Sequence, residues 1–217
     1  AIISKRPVWD TFPGAWYSTA VDVIMPNGRT LQVATYHHYR DQWARAFDLT
    51  SEDSNGSTHF CHQTTFGMSE RLLGAVVGMH GDDNGLIMPP SIAPIQVILM
   101  PVAAHADDNV MPRIEALAKH LENSGFRIRI DDRDLRPGSK HYDWEIKGVP
   151  IRLELGPRDL ASNQCTLSLR TGGKTEVPIE GISTSINQCL ESISEELRTR
   201  SHAQASDLIR TFPGVSQ

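Results

Sequence analysis

Residues 64–83 read TTFGMSERLLGAVVGMHGDD, and the change of pattern inside them decides how the first half of the chain is built. Up to Gly67 the threonines and phenylalanine have the composition of a strand. From Ser69 the pattern turns helical and runs to His80, where Gly81 supplies a C-terminal stop. Leu72, Leu73, Ala75, Val76, Val77 and Met79 cover most of the circumference, which predicts a helix buried on most sides. Arg71 stands alone in this apolar run, one turn into the expected helix. Gly67 lacks a Cβ and lets a ligand approach the backbone closely. The helix start offers unpaired N–H groups and a positive dipole end that suit phosphate oxygens. Arg71 would add a planar, permanently charged fork, on a phosphate or over a purine face. Read alone, the same pattern also fits an arginine paired with a core carboxylate or snorkelling to the surface.

Outward from this stretch, residues 20–25 and 30–35 are short apolar or alternating runs around Asn27-Gly28, the pattern of a β-hairpin. SEDSNGST, residues 51–58, reads as a surface loop, and residues 59–66 as a strand leading into Gly67. MPPSIAP, residues 88–94, can continue neither a helix nor a central strand, and it marks a domain boundary near residue 90. Beyond it strands and helices alternate. Strands are expected at 95–102, 126–130 and 151–155, and helices at 112–122 and 137–147, each helix ended by a glycine, Gly125 or Gly148. A hairpin follows around TGGK, then a helix from Ile182 to about Arg200 carrying Ile186, Leu190, Ile193 and Leu197. Alternation of this kind predicts an α/β layer with a largely parallel sheet.

Composition narrows the function classes. The chain has 217 residues, 39% hydrophobic and 22% charged, close to the globular norm. A net charge of −5 argues against gripping nucleic acid by bulk charge, though not against reading RNA with a few placed side chains. Cys61, Cys165 and Cys189 are odd in number and far apart, so neither a disulfide framework nor a cysteine-rich zinc site is expected, and a reducing cytoplasm is. No apolar run has the length to span a membrane. TGGKT at 171–175 lacks the first glycine of a phosphate loop, and His59, Cys61 and His62 lack the second half of a zinc site.

The longer stretch HQTTFGMSERLLGAVVGMHGDDNGLIMPPSIAPIQVILMPV resembles the end of the catalytic domain of prolyl-tRNA synthetases of the archaeal and eukaryotic type, running through motif 3 into the anticodon-binding domain. TFPGA and LQVATYHH upstream extend the resemblance, as does RDLRPGSKHYDWEIKGVPIRLELGPRDL downstream. It covers most of the chain. It implies part of a class II antiparallel sheet with the motif 3 helix over residues 1–90. An α/β anticodon-binding domain with a mixed, mainly parallel sheet is implied over 91–200, and the start of a linker to a further, C-terminal domain over 201–217. The implied activity is ATP-dependent activation of L-proline, with Mg2+, and its transfer to tRNA(Pro) in the cytoplasm, the complete enzyme working as a homodimer. Arg71, Gln32 and Thr35 are implied for ATP, and Phe12, His37, Thr65 and Gly67 for proline. The chemistry agrees, since a pyrrolidine ring needs an aromatic wall and its ammonium needs polar partners. Taken singly, these residues have plainer readings: core for Phe12, hairpin side chains for Gln32 and Thr35, a structural histidine for His37.

The sequence also departs from the family pattern. Motif 1, motif 2 with its α-phosphate arginine, and the zinc-bearing C-terminal domain have no counterpart here, so the polypeptide alone is expected to be inactive. Trp16 and Tyr36 are smaller departures. In the second half, Arg129, Arg133, Arg136, Lys140, Lys147, Arg152 and Arg158 are interleaved with acids near Tyr142 and Trp144. Such mixed donors and acceptors beside aromatics suit unstacked loop bases, and they equally suit a salt-bridged surface. The resemblance selects the tRNA anticodon loop, with Arg136, Lys140 and Glu154 as candidate contacts. The rival reading is a non-catalytic tRNA-binding or regulatory protein built from the same domains.

Overall fold

The computed structural model describes residues 1–210. The chain forms two compact units, one of Ala1–Met79 with the chain from Asp207, the other of His80–Ser206.

The first unit is built on a four-stranded antiparallel sheet. Its elements are β1 (Ile2–Lys5), β2 (Tyr17–Ile24), β3 (Thr30–Arg40), α1 (Gln42–Phe47), β4 (Thr50–Glu52), β5 (Thr58–Phe60), β6 (Gln63–Met68) and α2 (Arg71–His80). The sheet order is β1-β2-β3-β6. The β2–β3 hairpin closes at Asn27-Gly28 as expected, with Gly28 at φ 77 and Asn27 Oδ1 accepting from the Arg29 N–H. The loop expected at 51–58 is instead the turn of a small hairpin, β4 with β5, in which Asp53 Oδ1 accepts from the N–H groups of Asn55 and Ser57. The single strand expected at 59–66 is divided into β5 and β6.

Two expectations about α2 are corrected. Arg71 is its first residue rather than one turn in. The helix is also mostly exposed: only Ala75 is buried, while Leu73 is 62% and Val77 54% exposed. Its apolar circumference gave the right secondary structure and the wrong surroundings.

The second unit contains β7 (Val97–Pro101), α3 (Val110–Asn123), β8 (Ile128–Ile130), α4 (Pro137–Ile146), β9 (Ile151–Leu155), α5 (Pro157–Ser162), β10 (Gln164–Leu169), β11 (Lys174–Pro178) and α6 (Ile182–Leu208). The sheet order is β11-β10-β9-β7-β8. It is mixed, with parallel pairing of β7 to β8 and β9 and antiparallel pairing of β9–β10 and β10–β11.

Strand alternation divides this sheet into two unlike faces. Val97, Leu99, Ile151, Leu153, Leu155, Cys165 and Leu167 share one core with Ile114, Leu117 and Leu121 of α3 and with Ile186, Leu190, Ile193 and Leu197 of α6. Ile98 and Met100 point the other way and meet Trp144 of α4 in a small second cluster. The same face continues across β9, β10 and β11 as Arg152, Glu154, Thr166, Ser168, Lys174 and Glu176. One face is therefore core, and the other is half covered and polar.

The division between units falls eight residues before the proline-rich segment, at His80. Ile87 is fully buried in the second unit's core, and Leu86 and Met88 donate backbone hydrogen bonds to the carbonyls of Ile146 and Gly148. Arg170 donates to both Asp82 carboxylate oxygens and to the carbonyls of Leu86 and Glu145. The compact unit thus begins ahead of the prolines, which interrupt its regular structure. At the other end, the linker expected from 201 begins as the last turns of α6, while residues 211–217 lie outside the described residues.

Candidate functional site

Each unit carries a groove lined by residues of the sequence reading. In the first, Ser18, Ala20 and Asp22 of β2 pair with His37, Thr35 and Gln32 of β3. Residues two apart on β2 share a face, so their three partners do too. Gln32 reaches that face because β3 holds one extra residue, Val33, between the pairs Val21–Ala34 and Asp22–Gln32. Without this bulge Gln32 and Thr35, three apart, would point to opposite sides. On β6, Gly67 lies opposite Thr35 and Thr65 opposite His37.

A groove of about 260 Å³ follows, lined by Gln32, Thr35, Gly67, Ser69 and Arg71 among others. Arg71 is exposed, and its Nη1 donates to the Gln32 carbonyl at 3.2 Å. No carboxylate pairs with it among the described residues, so its fork faces the groove and not a core ion pair. A Cβ on Gly67 would lie 3.3 Å from Thr35 Oγ1, so any larger residue would begin to close the floor. One register step along, the Phe12 ring lies 4.8 Å from the His37 ring, and Tyr39 meets Phe12 edge-on. Ser18 Oγ holds His37 Nδ1 at 2.7 Å and accepts from the Phe12 N–H at 3.0 Å. The structure thus brings the seven residues expected for ATP and proline onto one sheet face and its margin.

In the second unit a cavity of about 440 Å³ opens on the half-covered face. Ile98, Trp144 and Val149 supply apolar wall, and His141, Glu145, Arg152, Ser168 and Lys174 supply the polar groups. Behind it, Glu154 is held by two cations, Arg152 Nε at 2.8 Å and Lys174 Nζ at 3.5 Å, and by the His141 imidazole, Nε2 at 3.2 Å. Burial works against its charge, but the Arg152 hydrogen bond and the surrounding positive charges hold the carboxyl below its ordinary value. Burial, reinforced by Arg152, pushes the His141 imidazole below its ordinary value, so it is neutral at pH 7.

The anticodon candidates fare unevenly. Glu154 lies behind the cavity, buttressing it. Arg136 is the exposed N-cap residue of α4, away from the cavity lining. Lys140 is 6% exposed, and its ammonium donates to the Asp131 carbonyl at 3.0 Å. It belongs to a buried network in which Arg133 and Trp144 Nε1 grip the Asp131 carboxylate. Lys140 therefore anchors α4 to the end of β8.

Residues 96–189 match the family model described as an anticodon binding domain. Over 99% of its length the chain is 47% identical to a proline–tRNA ligase of Thermococcus kodakarensis, and over its full length 42% identical to one of Methanocorpusculum labreanum. Among solved structures it superimposes with a TM-score of 0.87 at 33% identity on a Giardia lamblia prolyl-tRNA synthetase in complex with prolyl-adenylate, covering 95% of this chain and 45% of that one. The chain belongs to the prolyl-tRNA synthetase family. It spans about half the length of the curated relatives it matches, 46% of each of the two named.

The sequence reading did not bring together His141, Glu145, Arg152, Ser168 and Lys174, the polar lining of this cavity. Lys174, Ser168 and Arg152 come from three strands and meet only through register: Ser168 pairs with Lys174 on one side and Arg152 on the other. The available signal was alternation. Arg152 and Ser168 are polar positions flanked by core leucines and isoleucine, which placed them together on the face opposite the core.

Proposed function

We propose that this chain supplies the motif 3 side of the adenylate site and the anticodon-reading domain of a prolyl-tRNA synthetase. The complete enzyme joins L-proline to ATP as prolyl-adenylate and transfers the prolyl group to tRNA(Pro). The observation that carries this reading is the convergence of Gln32, Thr35 and Arg71 on one groove through the Val33 bulge. In the reaction, a proline carboxylate oxygen bonds to the α-phosphorus and the bond to the β,γ-diphosphate breaks, releasing pyrophosphate. Arg71 would stabilise negative charge on the nucleotide, Thr35 and Gln32 would orient it, and Mg2+ would accompany the phosphates. Phe12 would wall the pyrrolidine ring beside His37, Thr65 and Gly67. The α-phosphate clamp and the dimer contacts would come from the rest of the enzyme. That remainder would also cover the exposed side of α2, and the site of action would be the cytoplasm.

The second-unit cavity fits a guanine of the anticodon loop. Proline codons begin with two cytosines, so their anticodons carry two adjacent guanines. Guanine offers N1–H and N2–H donors beside O6 and N7 acceptors. Glu145 would accept from the former and Arg152 and Lys174 would donate to the latter, while Trp144 and the aliphatic wall exclude water. Arg136, at the rim of α4, would contact the RNA backbone.

The test is binding of the chain to a proline-tRNA anticodon stem-loop. Tight binding that falls at least about tenfold in Arg152→Ala supports the reading, at the scale of one charged base contact. Unchanged affinity in that variant rejects it. By itself the chain is expected to show no proline-dependent ATP–pyrophosphate exchange, and robust exchange would reject the half-site assignment.

A further inference from the structure

Ser168 stands out among the buried polar side chains of the second unit. It is 8% exposed, lines the cavity, and its Oγ has no hydrogen-bond partner. Buried hydroxyls are ordinarily paired. Serines elsewhere in the unit show how: Ser124, Ser162 and Ser194 each donate to the carbonyl four residues back. A strand offers no such carbonyl. The flanking cross-strand side chains, Arg152 and Lys174, are donors with no acceptor to lend. With a cation on each side, the favoured orientation of the hydroxyl has its oxygen toward them, which leaves the hydrogen for an acceptor in the cavity.

We propose that Ser168 Oγ–H donates a hydrogen bond to O6 or N7 of a guanine seated in this cavity, making Ser168 a specificity-determining residue for anticodon recognition. This rests on the reading of the cavity as a base pocket. It adds a neutral donor between two charged ones. A hydroxyl recessed in the floor reaches only a base edge inserted fully between Arg152 and Lys174, whereas those long cations can also hold a phosphate. Ser168 therefore distinguishes an inserted base from a backbone passing over the surface.

The experiment compares wild type, Ser168→Ala, Ser168→Thr and Arg152→Ala, all as the full chain and checked by thermal melting. Each is titrated with a proline-tRNA anticodon stem-loop, and with the same loop carrying 2-aminopurine (no O6) or 7-deazaguanine (no N7) at each anticodon guanine in turn. Ser168→Ala is expected to weaken the native loop roughly three- to tenfold, and Ser168→Thr to retain most of the affinity. Against the one analogue lacking the matching acceptor, Ser168→Ala and wild type should bind alike. Equal affinity of Ser168→Ala and wild type for the native loop overturns the proposal, and so does the same loss against every analogue. Arg152→Ala separates the two levels. Its loss of binding with Ser168→Ala neutral removes the serine alone, while no effect of either variant removes the base pocket as well.

Discussion

At the scale of single residues, two charges show how position sets role. Arg71 keeps its guanidinium in the open, tied only to one carbonyl, whereas Asp131 is 2% exposed and fully engaged. In the complete enzyme, Arg71→Ala is expected to lower kcat/KM for proline-dependent exchange by about 10²–10³, the loss typical of one transition-state donor. Arg71→Lys should recover little, because an ammonium cannot reproduce the planar fork. Asp131 predicts a different response. Hydrogen bonds from Arg133, only partly offset by burial, hold its carboxyl well below the usual carboxylate range. A carboxyl depressed on folding contributes stability that is present above its unfolded pKa, about 3.9, and is lost as pH falls through that value toward the folded one. Chemical denaturation from pH 7 down to pH 2 should therefore show a decline setting in below about pH 4. Asp131→Ala should cost about 3 kcal/mol at pH 7 and flatten that decline, since it leaves the Trp144 N–H without its acceptor and Arg133 without one of its two carboxylates.

Elements show which parts of the sequence spoke clearly. Gly148 ends α4 at φ 70, and a Cβ there would lie 2.4 Å from the Leu86 carbonyl oxygen. Gly148→Ala is expected to destabilise the second unit by about 2 kcal/mol or more, measurable as a lower midpoint in urea. That glycine was readable as a helix stop, as were the strands around Leu99 and Leu153, because local chemistry and burial pointed the same way. The hairpin at Asn27-Gly28 was readable for the same reason. α2 was misjudged, since an apolar circumference reports what a helix could bury and not what lies beside it. β1 and α1 went unread because four and six residues are too few for a periodic signal. In the first groove, the candidate residues came from the family resemblance. In the second, they escaped because their meeting depends on register between three strands, which no local window contains.

For the whole molecule, the division at His80 makes a claim about autonomy. A fragment of residues 80–206 retains Ile87 in the core and the Asp82–Arg170 pair, and it is expected to unfold cooperatively. A fragment beginning at residue 91 leaves a cavity where Ile87 sat and strips Arg170, whose side chain is 4% exposed, of its carboxylate. It should be less stable by at least about 3 kcal/mol, and equal melting temperatures would move the boundary back to the prolines. Among the described residues no helix is long and apolar enough to cross a membrane. The three cysteines are free thiols, with Cys165 pushed up to about 12 by burial, so oxidants at neutral pH should leave it unmodified in the folded chain.

The extra residue in β3 has a consequence for how this chain can vary. Replacing Val33 changes a side chain, and deleting it leaves Gln32 and Thr35 two apart, still on one face by plain alternation. An exchange that lets β3 pair regularly with the residue retained would instead send Gln32 to the opposite side, so the glutamine and threonine are tied by the backbone geometry of the bulge and not by how many residues separate them.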